Sequence, residues 1–106
     1  MTDNPRRTVR DNKLEQRFEI DLGNGALAVA DYVLTPGKIR VTHTGVPRAH
    51  EGHGVGTQLV EEILEVAEAE GLKVIPACPF VAAYFHRHPE RADLLDPAYR
   101  PPTGGN

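Results

Sequence analysis

The sequence predicts a mixed α/β domain: an antiparallel β meander, then a helix, a parallel strand and a C-terminal helix. Three observations carry this. Between residues 14 and 44 apolar side chains alternate, and turn signals fall at 23–25 and 35–37. From Val55 the apolar spacing changes to three and four residues and runs up to Gly71. A short apolar run over 72–77 then feeds Cys78-Pro79-Phe80 and a second helical pattern. A period of two marks a strand with one buried face; a period near 3.6 marks an amphipathic helix.

Each element has its own justification. Residues 1–12 are polar, hold no apolar run and read as a flexible arm without a signal peptide. Leu14, Phe18, Ile20 and Leu22 share one parity, and Glu15, Arg17, Glu19 and Asp21 the other. That is a half-buried strand with its charges in water. Gly23-Asn24-Gly25 supplies residues that tolerate positive φ for a turn. Ala26 to Leu34 is apolar enough to be a strand covered on both faces. Thr35-Pro36-Gly37-Lys38 has the Pro-Gly order of a type II turn. Lys38 to Thr44 is the third strand, with Ile39, Val41 and His43 on one face.

Val55, Leu59, Ile63 and Val66, widened by Val60 and Ala67, form the helix stripe. Glu61, Glu65 and Glu68 lie opposite and read as a solvated face. Gly71 stops the helix in the left-handed conformation that glycine favours. Leu72 to Ala77 follows a helix and is expected parallel to the third strand. Pro79 suits the first position of the next helix, which makes Cys78 its N-cap. Val81, Tyr84, Phe85 and His88 continue at helical spacing until His88-Pro89 ends it. Arg91 to Leu95 adds a turn, and the Pro- and Gly-rich stretch 96–106 reads as a disordered tail. The domain is therefore expected at 13–95.

Composition narrows the function. The 106 residues suit one core. A net charge of −3 argues against a basic nucleic-acid surface. The single cysteine excludes an internal disulfide framework and points to a reducing, cytoplasmic setting. No stretch approaches the roughly 18 apolar residues of a membrane span. One cysteine and five histidines without paired spacing give no zinc site, so no metal is expected.

The motif with chemistry in it is His50-Glu51-Gly52-His53-Gly54-Val55-Gly56-Thr57. Glycines at 52, 54 and 56 directly precede the helix. The first N–H groups of a helix lack intrahelical partners and sit at the positive end of its dipole. A phosphate fits there, and glycine lets it approach; the bland alternative is a tight loop. A Walker loop would need Gly-Lys-Ser/Thr, and Thr57-Gln58 follows instead. A dinucleotide fingerprint would need a third glycine at 59, which is Leu59.

Three side chains beyond the loop are candidates for chemistry. Cys78 at a helix N-terminus is either a thiol activated by free N–H groups or a small buried hydrophobe. Tyr84 is either a proton donor to a departing thiolate or a core aromatic. His43 is either a base of near-neutral pKa or a satisfied histidine on an apolar face. His86 and Arg87 could meet phosphates or simply face water.

These pieces in this order resemble the GNAT superfamily of N-acetyltransferases, and most closely its small single-domain members. Those carry a His-Thr-x-Val-Pro strand, matched here by His43-Thr44-Gly45-Val46-Pro47. Their Lys-Val-x-Pro-x-Cys-Pro-Phe-Val segment is matched by Lys73-Val74-Ile75-Pro76-Ala77-Cys78-Pro79-Phe80-Val81, and their Arg-His-Pro-Glu by Arg87-His88-Pro89-Glu90. The resemblance spans residues 14 to 95 and implies a GNAT-like fold. Their pyrophosphate loop, Gln/Arg-x-x-Gly-x-Gly/Ala, is matched by Glu51-Gly52-His53-Gly54-Val55-Gly56, with Glu51 departing from the family's Arg or Gln.

The resemblance implies acetyl-CoA as the ligand and an amine, such as a protein lysine, as acceptor. The implied cofactor-binding residues are Thr44, Val46, His53, Gly54, Val55, Gly56, Thr57, Pro79, Phe80 and Arg87. The implied catalytic residues are Cys78, Tyr84 and His43. Transfer is either direct, with His43 or its water as base and Tyr84 protonating the CoA sulfur, or in two steps through Cys78. A CoA-binding sensor without catalysis and a redox-sensing thiol are the competing functions. A monomer or weak dimer is expected, with no nucleic-acid or membrane partner.

Overall fold

The computed structural model of the chain describes residues 7–100. Its five strands are β1 (Val9–Asn12), β2 (Arg17–Gly23), β3 (Ala26–Thr35), β4 (Lys38–Gly45) and β5 (Lys73–Pro76). They lie side by side in sequence order. The first four run antiparallel, and β5 is parallel to β4 because helix α1 (Val55–Glu70) carries the chain back between them. Helix α2 (Pro79–Arg87) follows β5, and a 3₁₀ segment, Pro89–Leu94, completes the body.

One core lies between sheet and helices. Phe18 and Ile20 of β2, Ala28, Ala30 and Tyr32 of β3, and Ile39 and Val41 of β4 face it. They meet Leu59, Ile63, Leu64 and Ala67 of α1, and Val81, Tyr84 and Phe85 of α2. The period-two and period-3.6 patterns thus interlock on one side of the sheet. The turns follow the sequence: Asn24 and Gly25 both have positive φ, as does Gly37 after Pro36. Gly71 caps α1 with φ +70°, its N–H bonded to the carbonyl of Ala67.

The sheet departs from expectation in four places. The expected arm contains β1, whose Val9–Asn12 pairs with Arg17–Ile20; the rest of that expectation, residues 1–6, lies outside the described residues. Leu14 is not in a strand: it is 95% exposed in the turn between β1 and β2. β3 is buried on one face only, since Leu27 and Val33 on the other parity are 36% and 41% exposed. The expected disordered tail is folded over 96–100. There Asp96 is buried, receives Lys38 Nζ at 2.9 Å and the Ala98 N–H at 3.3 Å, and starts a 3₁₀ turn at Pro97–Tyr99. Residues 101–106 lie outside the described residues.

The reason β1 forms is Glu19. Its parity sends it to the face opposite the core, yet it is only 2% exposed. Arg10 of β1 covers it and donates to Oε1; Arg17 Nε donates to Oε2 at 2.7 Å and Asn12 Nδ2 at 3.0 Å. A polar edge strand is thereby bound by charge-assisted bonds rather than by apolar burial. Tyr32 adds a second tie, its hydroxyl donating to Asp11 Oδ1 at 2.6 Å.

Arg10, Arg17 and Asn12 hold the Glu19 carboxyl at a pKa of about 2. A pKa depressed by folding stabilises above the unfolded value and is lost as pH falls through the folded one. The wild-type protein should therefore lose stability between about pH 4.5 and pH 2. Glu19→Gln should cost roughly 1.5–3 kcal/mol at pH 7, the range for hydrogen bonds to a charged group. It should also flatten the acid limb of thermal midpoint against pH, which melts followed by circular dichroism would measure.

Candidate active site

The site begins with one extra residue in β4. Tyr32 pairs with Val41 and Asp31 with His43, so Thr42 has no opposite number in β3. Such a bulge reverses the parity beyond it. Val41 faces the core; after the bulge Thr44, opposite Ala30, takes that side. His43 goes to the other face with Asp31 and is exposed. The sequence expectation that His43 shares the face of Ile39 and Val41 is thus corrected, because strict alternation carries no sign of an inserted residue. Its ring lies back over Gly45, where a Cβ would stand 3.1 Å from Nε2.

β5 ends its pairing with β4 at Val41–Pro76, and the chain then turns into α2. Beyond that point Thr44 and Val46 border a cavity of about 360 Å³. The opposite wall is the loop His50, Glu51, Gly52 and Gly54 with the first residues of α1, Val55, Gly56 and Thr57. Phe80 closes one side. This volume is at the low end of ligand pockets, about 300–1,000 Å³.

The loop presents backbone, not side chains. Gly52 and Gly54 have φ of +83° and +77°, conformations that cost an L side chain about 1–2 kcal/mol. Gly54 is the N-cap of α1 and offers no side-chain cap, and the first turn holds no acidic residue. The first intrahelical bond is Gln58 N–H to the Gly54 carbonyl at 3.0 Å. The N–H groups of Val55, Gly56 and Thr57 therefore precede the ladder, at the positive end of the dipole, beside the cavity. That arrangement suits an anion. Glu51 lines the same cavity and opposes one.

Cys78 is the N-cap of α2, with Pro79 at the first helical position. Its Sγ lies 3.4 Å from Thr44 Oγ1, and the residue is 5% exposed. Burial pushes the thiol up, but the Thr44 hydroxyl and backbone groups of Val81, Phe80 and Thr44 outweigh it and hold it below the ordinary thiol value. A thiolate is favoured there for the reason any anion is at a helix start.

The other expected site residues divide. Thr44, Val46, Gly54, Val55, Gly56, Thr57 and Phe80 all border the cavity. His53, Pro79 and Arg87 are exposed and are not among its lining residues; Arg87 ends α2, well away from the α2 N-terminus at Cys78. Tyr84 is 2% exposed and its hydroxyl lies 3.4 Å from Glu61 Oε2. Its ring stacks on His88 at 4.3 Å between centroids. Burial, then the Glu61 charge, keeps the phenol above its ordinary value and protonated. The Glu61 carboxylate is thus not part of a solvated row. His50, Glu51 and Gly52 also line the cavity; they belong to the glycine motif but were not among the expected binding residues, their only signal being their place in that motif.

Gly56 meets the cavity wall directly: a Cβ on it would sit 2.7 Å from Phe80 Cζ. Phe80 is 37% exposed, so its ring can swing into the cavity. Gly56→Ala should therefore leave the fold in place, with a cost below about 1–3 kcal/mol. It should obstruct the cavity, and calorimetric titration with CoA against wild type, paired with thermal melts, would separate the two effects.

The comparisons with known proteins agree with this fold. The family model described as GCN5-related N-acetyl-transferase matches residues 17–94. Among solved structures, a GCN5-like protein from Staphylococcus aureus, determined by NMR, matches with a TM-score of 0.68 and 29% identity. The match covers 86% of this chain and 89% of that one. No curated protein matches the chain. Among the described residues no helix is long and apolar enough to cross a membrane, and no group of three or more His, Cys, Asp or Glu could hold a metal ion. The chain belongs to the GCN5-related N-acetyltransferase (GNAT) family, a family of acyltransferases.

Proposed function

We propose that the protein transfers an acetyl group from acetyl-CoA, its acyl-donor substrate, to an amine, a protein lysine being the leading acceptor. The observation that carries this is the cavity between an uncapped helix start at Val55–Thr57 and the Thr44–Cys78 pair. One end suits a diphosphate; at the other Thr44 borders the cavity and contacts Cys78, which lies just behind it and is not itself a lining residue. The edge of β4 at Thr44–Val46, left by β5 after Pro76, offers backbone groups to the amides of the pantetheine arm.

The route through Cys78 has the better support. Cys78 Sγ attacks the thioester carbonyl: an S–C bond forms to the acetyl group and the bond to the CoA sulfur breaks. The proton given up by the Cys78 thiol balances the one that the CoA sulfur gains. The amine then attacks the acetyl-cysteine thioester, the S–C bond breaks, and the amine proton leaves to water. What supports this order is that Cys78 and Thr44 meet beside the cavity while the Tyr84 hydroxyl is turned to Glu61. Direct transfer is the alternative route; it would need a base other than His43 at the cavity, or a water, because His43 stands on the face of β4 opposite Thr44 and Cys78. A free thiol of this kind needs a reducing compartment, so we assign the reaction to the cytoplasm.

Incubation with acetyl-CoA and no acceptor, followed by intact mass, tests the reading. Wild-type protein should gain one acetyl group and Cys78→Ser none, while CoA still binds to both by calorimetry. Cys78→Ser that acetylates amines at the wild-type rate would establish direct transfer. Binding without acetylation of any amine in a panel would leave a CoA-binding module.

A further inference from the structure

Thr44 belongs to two sets of contacts at once. Its residue lines the cavity, and its Oγ1 is 3.4 Å from Cys78 Sγ. The Thr42 bulge is what brings it there, since unbroken alternation from Val41 would place His43 on this side instead. A hydroxyl has one proton and two acceptor sites. With the thiol protonated, Sγ–H donates to Oγ1; with the thiolate, the hydroxyl turns and donates to sulfur. The charge-assisted form is the stronger of the two.

We propose that Thr44 is the positioning residue for Cys78, holding its sulfur at the cavity edge and stabilising the thiolate through the single Thr44 hydroxyl proton. Its catalytic meaning rests on the proposed function; its effect on the sulfur does not. Two further features support it. Cys78 is the N-cap of α2, and the backbone groups of Val81 and Phe80 at the helix start also favour the thiolate. The titratable groups on the packed elements point elsewhere. His43 is on the opposite face of β4, and Tyr84 and Glu61 are turned to each other between α2 and α1. His50 and Glu51 lie across the cavity on the glycine loop, and the Thr44 hydroxyl is the side chain that the structure places in hydrogen-bond contact with the sulfur.

The experiment is the rate of Cys78 alkylation by iodoacetamide on the full chain, measured from pH 5 to pH 10 by intact mass. It needs no acyl donor, so failure here and failure of acetyl transfer read separately. Thr44→Val removes the hydroxyl and keeps the shape. It should lower the rate at pH 7 by about tenfold and move the half-maximal rate to higher pH, the scale of one hydrogen bond to a charged group. Thr44→Ser should stay within about twofold of wild type. Thr44→Ala should show the same loss as Thr44→Val, and decides the matter if the valine variant does not fold. Superimposable profiles for wild type, Thr44→Ala and any folded Thr44→Val would overturn the proposal.

Discussion

The Thr42 bulge is the constraint on which the site depends. Up to Val41, β4 is an ordinary inner strand, alternating with β3 on one side and β5 on the other. One added residue exchanges the faces of everything after it. Thr44 then meets Cys78, His43 stands over Gly45 on the open face, and the edge beyond Val41 is left without β5. The local irregularity therefore decides which side chain of β4, Thr44 rather than His43, faces the cavity, and bulges are common next to active sites.

The rest of the fold holds the two sides of that slot in place. Helix α1 carries the glycine loop at its start and anchors it through Leu59, Ile63 and Leu64, all fully buried against the sheet. Helix α2 brings Cys78 to the strand end and is locked by Val81, Tyr84 and Phe85. Tyr84, bonded to Glu61, joins the two helices directly. Phe80 packs on Gly56, so the α2 start and the α1 start share a wall. Cys78 and the glycine loop are thus positioned by one core rather than by independent loops.

Much of this was legible in the residues. The helix stripe from Val55, the stop at Gly71 and the Cys78–Pro79 start of α2 each follow from spacing and capping chemistry, and the structure has all three. The glycine loop was legible as a backbone-lined turn into a helix start, because glycine and a following helix leave backbone donors without partners. Other features were not. Thr42 announces no bulge, since Thr-His-Thr reads as smooth alternation. Glu19 looks solvent-facing by parity; its burial comes from Arg10 and Arg17, which meet it only after β1 has paired. β1 itself is hidden for the same reason: Arg10, Asp11 and Asn12 form a strand through ion pairs and hydrogen bonds, not through an apolar face. Tyr84 was readable as buried, but the partner of its hydroxyl depends on how α1 and α2 pack.

The central claim is that the α1 start and the bulged end of β4 form one donor site. The most direct measurement is a ¹H–¹⁵N titration of the protein with CoA. The account predicts saturable shifts at the amides of Gly54–Thr57 together with Thr44–Val46, at one common dissociation constant, with β1 and the Glu19 cluster unmoved. Shifts confined to other surfaces, or two groups saturating independently, would contradict it.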